Sequence, residues 1–174
     1  MSDLRKKQIW VIMGIMVAFL GIYIFYPTGR DMARDADRRA DAMYDSYYED
    51  PLKEAIDAVL DYVNFLETHK AKLAPLRQID SMLFSGHSIA GYLFLYAGNV
   101  ENACTHLNSA YDYHRRHRLP LKIDPVPRDE FVDFVITGKM KVDSNFEVAW
   151  KKSAHMDTNV VVAVKVQFRN GGVH

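Results

Sequence analysis

The sequence predicts a mainly α-helical protein with a small C-terminal antiparallel β appendage, an α+β arrangement carried on one N-terminal transmembrane helix. Three observations give this class. Residues 9–26, IWVIMGIMVAFLGIYIFY, run for eighteen positions without a charge or a Pro. Between Asp50 and Arg118 the apolar residues recur at helical spacing, whereas between Val160 and Phe168 they alternate with a period of two.

The apolar run is judged by length. At about 1.5 Å per residue, a helix of this size nearly matches the ~30 Å hydrocarbon core of a bilayer. A lone segment crosses there only as a helix, because each backbone polar group must find its partner internally. Trp10 at one end and Tyr23 and Tyr26 at the other stand where an aromatic belt holds helix ends. A cleaved signal peptide fits less well, since its apolar region usually spans only about 7–15 residues. The first small-x-small site, Ala40-Asp41-Ala42, also lies far beyond the run. The segment therefore reads as an uncleaved signal-anchor. Arg5, Lys6 and Lys7 abut it and place the N-terminus in the cytoplasm, with the remaining domain on the outer, periplasmic side of a cell inner membrane. Arg30, Arg34, Arg38 and Arg39 follow it but are less compact. Gly14, Ala18 and Gly21 share one face, where small residues let a second membrane helix approach closely.

Beyond the anchor, about 150 residues remain, the size of one domain with a small addition. An apolar fraction of 49% supplies a packed core. Lysine plus arginine and aspartate plus glutamate both number 22, so the basic excess of a nucleic-acid binder is missing. A single cysteine, Cys104, excludes an intramolecular disulfide and a thiolate zinc site. The expected organisation is a basic segment at 1–8, the membrane helix at 9–26, and a juxtamembrane helix or linker at 27–50. A helical domain at 51–118, a Pro-rich linker at 119–127, and a short helix with the β appendage at 128–174 complete it.

Pro27-Thr28-Gly29 interrupts the first helix. In residues 30–49 arginines and aspartates alternate around a weak stripe of Met32, Ala36, Met43 and Tyr47, the pattern of a solvated helix laced with ion pairs. Asp50-Pro51 predicts a helix start, with Asp as N-cap and Pro in the first turn. Leu52, Ile56, Val59, Leu60, Val63 and Leu66 then form an amphipathic stripe that ends near His69. Pro75 can open the next helix, which Ser85-Gly86 would interrupt, and Ile89–Tyr96 forms a third. Gly98-Asn99 pairs a C-terminal glycine with an N-cap asparagine and starts a helix from Val100 to about Arg118. Three prolines between Leu119 and Pro127 mark a linker, and Arg128 to Thr137 reads as a short helix stopped by Gly138. Phe146, Val148 and Trp150 fit a strand after a turn at Asp143-Ser144-Asn145, although they also satisfy helical spacing. Val160, Val162, Val164, Val166 and Phe168 supply the second strand.

Three tracts bear on chemistry. Gly86-His87-Ser88-Ile89-Ala90-Gly91 resembles the nucleophile elbow of α/β-hydrolases, and Asp124 or Asp133 and then His155 follow in that family's order. The resemblance implies a small membrane-tethered serine hydrolase using Ser88, and it requires a strand directly before the serine. The same tract also begins a segment, residues 84–117, that resembles a single tetratricopeptide repeat. Gly91, Phe94, Ala103, Leu107 and Ala110 match the repeat's characteristic positions, with His87 in place of its Trp and Arg115 in place of its Pro. That resemblance implies a tight helical hairpin of the kind used for protein docking. Finally, His106, His114, Arg115, His117 and Arg118 form a basic stripe suited to lipid headgroups or an acidic partner. His114-x-x-His117 has metal-ligand spacing, but the adjacent arginines oppose a cation, so neither a metal nor another cofactor is expected. The resulting expectation is a non-enzymatic, single-pass accessory or assembly subunit. It would meet membrane lipid and dock on other integral membrane or envelope proteins, with no nucleic acid involved.

Overall fold

The computed structural model describes residues 28–75, 77–117, 126–137, 140–143, 146–148 and 156–171, together with residues 13, 15 and 16. The expected membrane helix at 9–26 and its face of Gly14, Ala18 and Gly21 lie outside these, apart from Met13, Ile15 and Met16, which are helical and exposed. Among the described residues no helix is long and apolar enough to cross a membrane.

Six helices are described: α1 (Gly29–Glu49), α2 (Leu52–Leu73), α3 (Ile79–Tyr96), α4 (Val100–His117), α5 (Arg128–Thr137) and α6 (Thr158–Asn170). Between α5 and α6, β1 (Met140–Asp143) and β2 (Phe146–Val148) form a two-stranded antiparallel ribbon.

The expected α+β class is thus corrected. The chain is mostly helical, and the segment assigned to the second strand, Val160–Phe168, is the body of α6. Asp157 caps that helix, its side chain accepting a hydrogen bond from the Asn159 N–H at 2.8 Å. Val160, Val164 and Phe168 are spaced by four, so they satisfy the strand pattern and one helix face alike. The remaining two valines separate the alternatives: Val162 and Val166 are more than half exposed, while Val164 and Phe168 are buried.

The bundle also begins earlier than expected. Thr28 and Asp31 form a capping box at the start of α1, and Met32, Ala33, Ala36, Met43, Tyr44 and Tyr47 are buried against the rest. The helix is therefore not a solvated linker. Its Ala33 and Ala36 are buried, and its charges bind the bundle. Arg39 pairs with Asp61 of α2, and Asp37 accepts two hydrogen bonds from Arg77 at 2.6 and 3.2 Å.

At Asp50-Pro51 the expected cap is not formed. Asp50 instead closes α1, its N–H donating to the Ser46 carbonyl at 3.0 Å, and α2 starts without a side-chain cap. The predicted stripe of α2 does reach the core through Val59, Val63 and Leu66, joined by Tyr62.

Helix α3 passes through Ser85-Gly86 without a break; the Ser85 hydroxyl donates to the Ser81 carbonyl, and the bundle has no room for a side chain at Gly86. A Cβ there would stand 2.7 Å from Val63 of α2, and one at Gly91 would stand 2.7 Å from Leu107 of α4. Every residue from Leu83 to Leu95 is buried, which makes α3 the central helix. It ends in a Schellman turn: the Asn99 N–H reaches the Phe94 carbonyl, the Gly98 N–H reaches Leu95, and Gly98 takes φ 76°. Asn99 then caps α4, accepting from the Asn102 N–H at 3.1 Å. The α3–α4 hairpin packs tightly through Ala103, Leu107 and Ala110, each fully buried.

Arg128 at the start of α5 ties the C-terminal helices to this hairpin. Its guanidinium donates to the last-turn carbonyl of Phe168 at 2.9 Å and to Asn108, and lies over the rings of Phe168 and Tyr111.

Candidate functional site

Two places collect functional groups, and the first is a polar cluster where α2, α3 and α4 meet. His87 of α3 is buried in a helix that is apolar nearly all round, so its imidazole needs partners. Its Nδ1 lies 3.0 Å from Nδ1 of His106 on α4, and its Nε2 lies 3.4 Å from the Glu67 carboxylate on α2. Glu67 also accepts the Tyr113 hydroxyl at 2.8 Å. Lys70 donates to that same hydroxyl at 3.2 Å and pairs with Asp80 at 3.0 Å. The rings add to the cluster, His87 stacking on Tyr113 and His106 on Phe94.

In the neutral form that burial favours for both rings, His87 donates from Nε2 to Glu67 and its Nδ1 accepts the Nδ1–H of His106. Burial lowers the pKa of His87, with Glu67 acting in the opposite direction. Burial, and secondarily the charge of His87, pushes His106 down to about 4. The cluster contains a carboxylate, imidazoles and a phenol in mutual contact, and their hydrogen bonds join three helices.

His114 departs from the expected surface stripe. It is buried between Phe84, Phe131 and Phe134, and its Nε2 accepts the Val126 N–H at 3.0 Å. The proton therefore resides on Nδ1, which has no partner among the described residues. Burial lowers its pKa as well. His106 is half-buried and Arg115 is exposed, while His117 belongs to the last turn of α4 and Arg118 lies outside the described residues. Two histidines of the expected stripe, His106 and His114, thus face the interior, because helical spacing over α4 turns those positions toward α3 and α5.

Ser88 is placed against the nucleophile reading. It lies inside α3, fully buried, preceded by helix rather than strand, and its hydroxyl has no hydrogen-bond partner among the described residues. Asp133 pairs with Lys165 instead, and Asp124 and His155 lie outside the described residues. Cys104 is a buried thiol whose pKa burial raises, directed at the Val164 carbonyl of α6. No group of His, Cys, Asp or Glu among the described residues is arranged to hold a metal ion.

The second place is a cleft at the opposite end of α3. The C-terminal ends of α1 and α3 meet the start of α2 there, and Tyr47, Asp50, Leu52, Ala55, Tyr92, Leu93 and Tyr96 line it. The rings of Tyr47 and Tyr92 stand 6.5 Å apart at 60°, and Tyr48 packs edge-on against Tyr47 while remaining exposed. No local signal in the sequence joins Tyr47 to Tyr92 and Tyr96, some 45 positions away.

Compared with protein-family models, curated proteins and solved structures, the chain matches none of them.

Proposed function

We propose that the protein is a non-enzymatic docking subunit. The apolar stretch 9–26 holds it at a membrane, with its N-terminus in the cytoplasm and its helical bundle on the outer side, where the bundle engages another membrane or envelope protein. One observation carries the docking role: the tyrosine-lined cleft between α1, α2 and α3, with exposed Tyr48 beside it. Tyrosine offers a large rigid ring with a polar tip, a combination enriched at the centres of protein interfaces. The polar cluster at the other end supports the same role, since its carboxylate, imidazole, phenol and ammonium groups bind one another across helices. The apolar stretch contributes by composition, eighteen uncharged residues that begin one residue after three cations.

The test places a photo-crosslinking phenylalanine analogue at Tyr48 of the full chain in native membranes, and in a second sample at exposed Glu101. A discrete crosslinked species from position 48, absent from position 101, is expected. Identical products from both positions, or none from position 48, would overturn the docking role.

A further inference from the structure

We propose that the exposed face of α1 is a self-pairing surface, on which α1 of a second copy of this chain lies antiparallel. The contact is separate from the tyrosine-lined cleft and does not rest on the docking reading.

The face is a stripe of charge divided by sign. Arg30, Arg34 and Arg38 are exposed in the N-terminal half of α1, and Asp41, Asp45 and Glu49 in the C-terminal half. At 3.6 residues per turn all six fall within about 100° of the helix circumference. The opposite side carries Met32, Ala36, Met43 and Tyr47 into the core. The stripe is therefore the side that the bundle leaves uncovered.

Nothing in the helix itself accounts for this order of charges. The three arginines follow one another at i, i+4, and so do the three carboxylates, a spacing at which like charges repel. The macrodipole does not compensate, since it favours basic residues in the last turn, where α1 has none. Pairing within the chain offsets only part. Asp35 takes Arg38 at 3.2 Å and Arg39 at 3.3 Å, and Asp31 is engaged by Thr28 in the capping box. Arg38 nonetheless remains 77% exposed, and Asp41, Asp45 and Glu49 form no ion pair among the described residues.

A second copy supplies the missing partners. About a twofold axis between Arg39 and Ala40, antiparallel helices set Arg30 opposite Glu49, Arg34 opposite Asp45 and Arg38 opposite Asp41. The symmetry makes every pair occur twice. A parallel arrangement would set arginine on arginine and carboxylate on carboxylate, so repulsion specifies the orientation as well. Arginine suits the contact, because its fork meets a carboxylate with two hydrogen bonds. Exposed ion pairs are individually weak, so the association is modest and sensitive to salt. Thr28 is extended, at φ −67° and ψ 157°, so α1 begins a new axis after the stretch 9–26. Two copies held by that stretch can thus lie along one membrane surface, where confinement raises their effective concentration.

The experiment is analytical ultracentrifugation of the full chain in detergent micelles, which reads its self-association constant. Wild type should dimerise at about 50 mM salt and bind about tenfold more weakly at about 0.5 M, where the Debye length is only about 4 Å. Arg34→Glu and Asp45→Arg should each weaken the dimer by about tenfold or more, since each makes two attractive contacts repulsive. Combined in one chain, the two changes should restore it to within about threefold of wild type. Positions 34 and 45 stand about 16 Å apart along α1, so pairing within one chain cannot produce that rescue. Each single variant should melt no lower than wild type, because each removes repulsion at i, i+4. Self-association through Gly14, Ala18 and Gly21 would be indifferent to all three variants. A chain that stays monomeric at low salt, or single variants that dimerise like wild type, would overturn the proposal. So would a double variant as weak as the single ones, which would assign the stripe to another charged surface such as anionic lipid. The docking role is read separately. Tyr48 lies on the same exposed side, so a crosslink from position 48 at twice the chain's mass marks self-pairing, and any other mass marks the docking partner.

Discussion

The Nδ1 atoms of His87 and His106 face each other at 3.0 Å, so one must donate and the other accept. This contact tolerates one added proton, because His106 can be protonated on Nε2 while its Nδ1–H still donates. A second proton would put two N–H groups nose to nose. The groups facing the pair are Glu67 and, through Tyr113, Lys70 from α2, together with Tyr113 from α4.

A pH dependence follows from these burials. An unfolded histidine titrates near 6.5, whereas His106 in the folded protein is pushed down to about 4 and His87 and His114 are also lowered. Between those values the unfolded chain binds more protons, so stability falls as pH drops from about 6.5 toward 4 and is level above about 7. The urea midpoint measured across this range checks the direction. In His106→Asn the amide can still donate to His87 without titrating, and the decline should become shallower. An unchanged slope in that variant would assign the acid sensitivity elsewhere.

Ser88 yields a prediction opposite to that of a nucleophile. Its buried hydroxyl has no partner among the described residues, and alanine is the better helix former. Ser88→Ala should therefore raise stability by about 0.5–1.5 kcal/mol and leave crosslinking from position 48 intact. Calorimetry showing a loss of more than about 1 kcal/mol would mean that the hydroxyl is bonded in solution.

Helix α6 is tested by two valines two residues apart. Val164 is fully buried against α4, while Val166 is 56% exposed. Val164→Ala should cost about 1.5–3 kcal/mol through lost transfer energy and the cavity left behind. Val166→Ala should stay within about 0.5 kcal/mol. On a half-buried strand the two would cost the same, so similar denaturation midpoints would refute the helix.

Part of this architecture was legible because its signals are local. Gly98-Asn99 marked the α3–α4 turn, since a glycine at positive φ and an asparagine cap act within a few residues of themselves. The α2 stripe of Val59, Val63 and Leu66 was legible for a related reason, a long helix repeating its buried face many times. The short α5 was bounded by Pro127 before it and Gly138 after it.

Other features depended on what lies across the chain. Gly86 reads as an interruption until Val63 is seen filling the space a side chain would occupy. The histidines of α4 read as basic until Glu67, Phe84 and Phe131 surround their neighbours and themselves. The cleft needed Tyr47 and Tyr92 to be brought together from separate helices.

By itself, then, the sequence determined the Gly98-Asn99 turn with its cap and the repeated apolar face of α2, because those depend on neighbours a few residues away. Only the tertiary structure decided that Val160–Phe168 is helical and that α1 belongs to the core. The physical reason is shared. Propensity and short patterns differ by about 1 kcal/mol or less per residue, and Val160, Val164 and Phe168 fit both periods. Burial of Val164 and Phe168 on α4, with Arg128 fastened to the end of α6, supplied the larger energy that settled the choice.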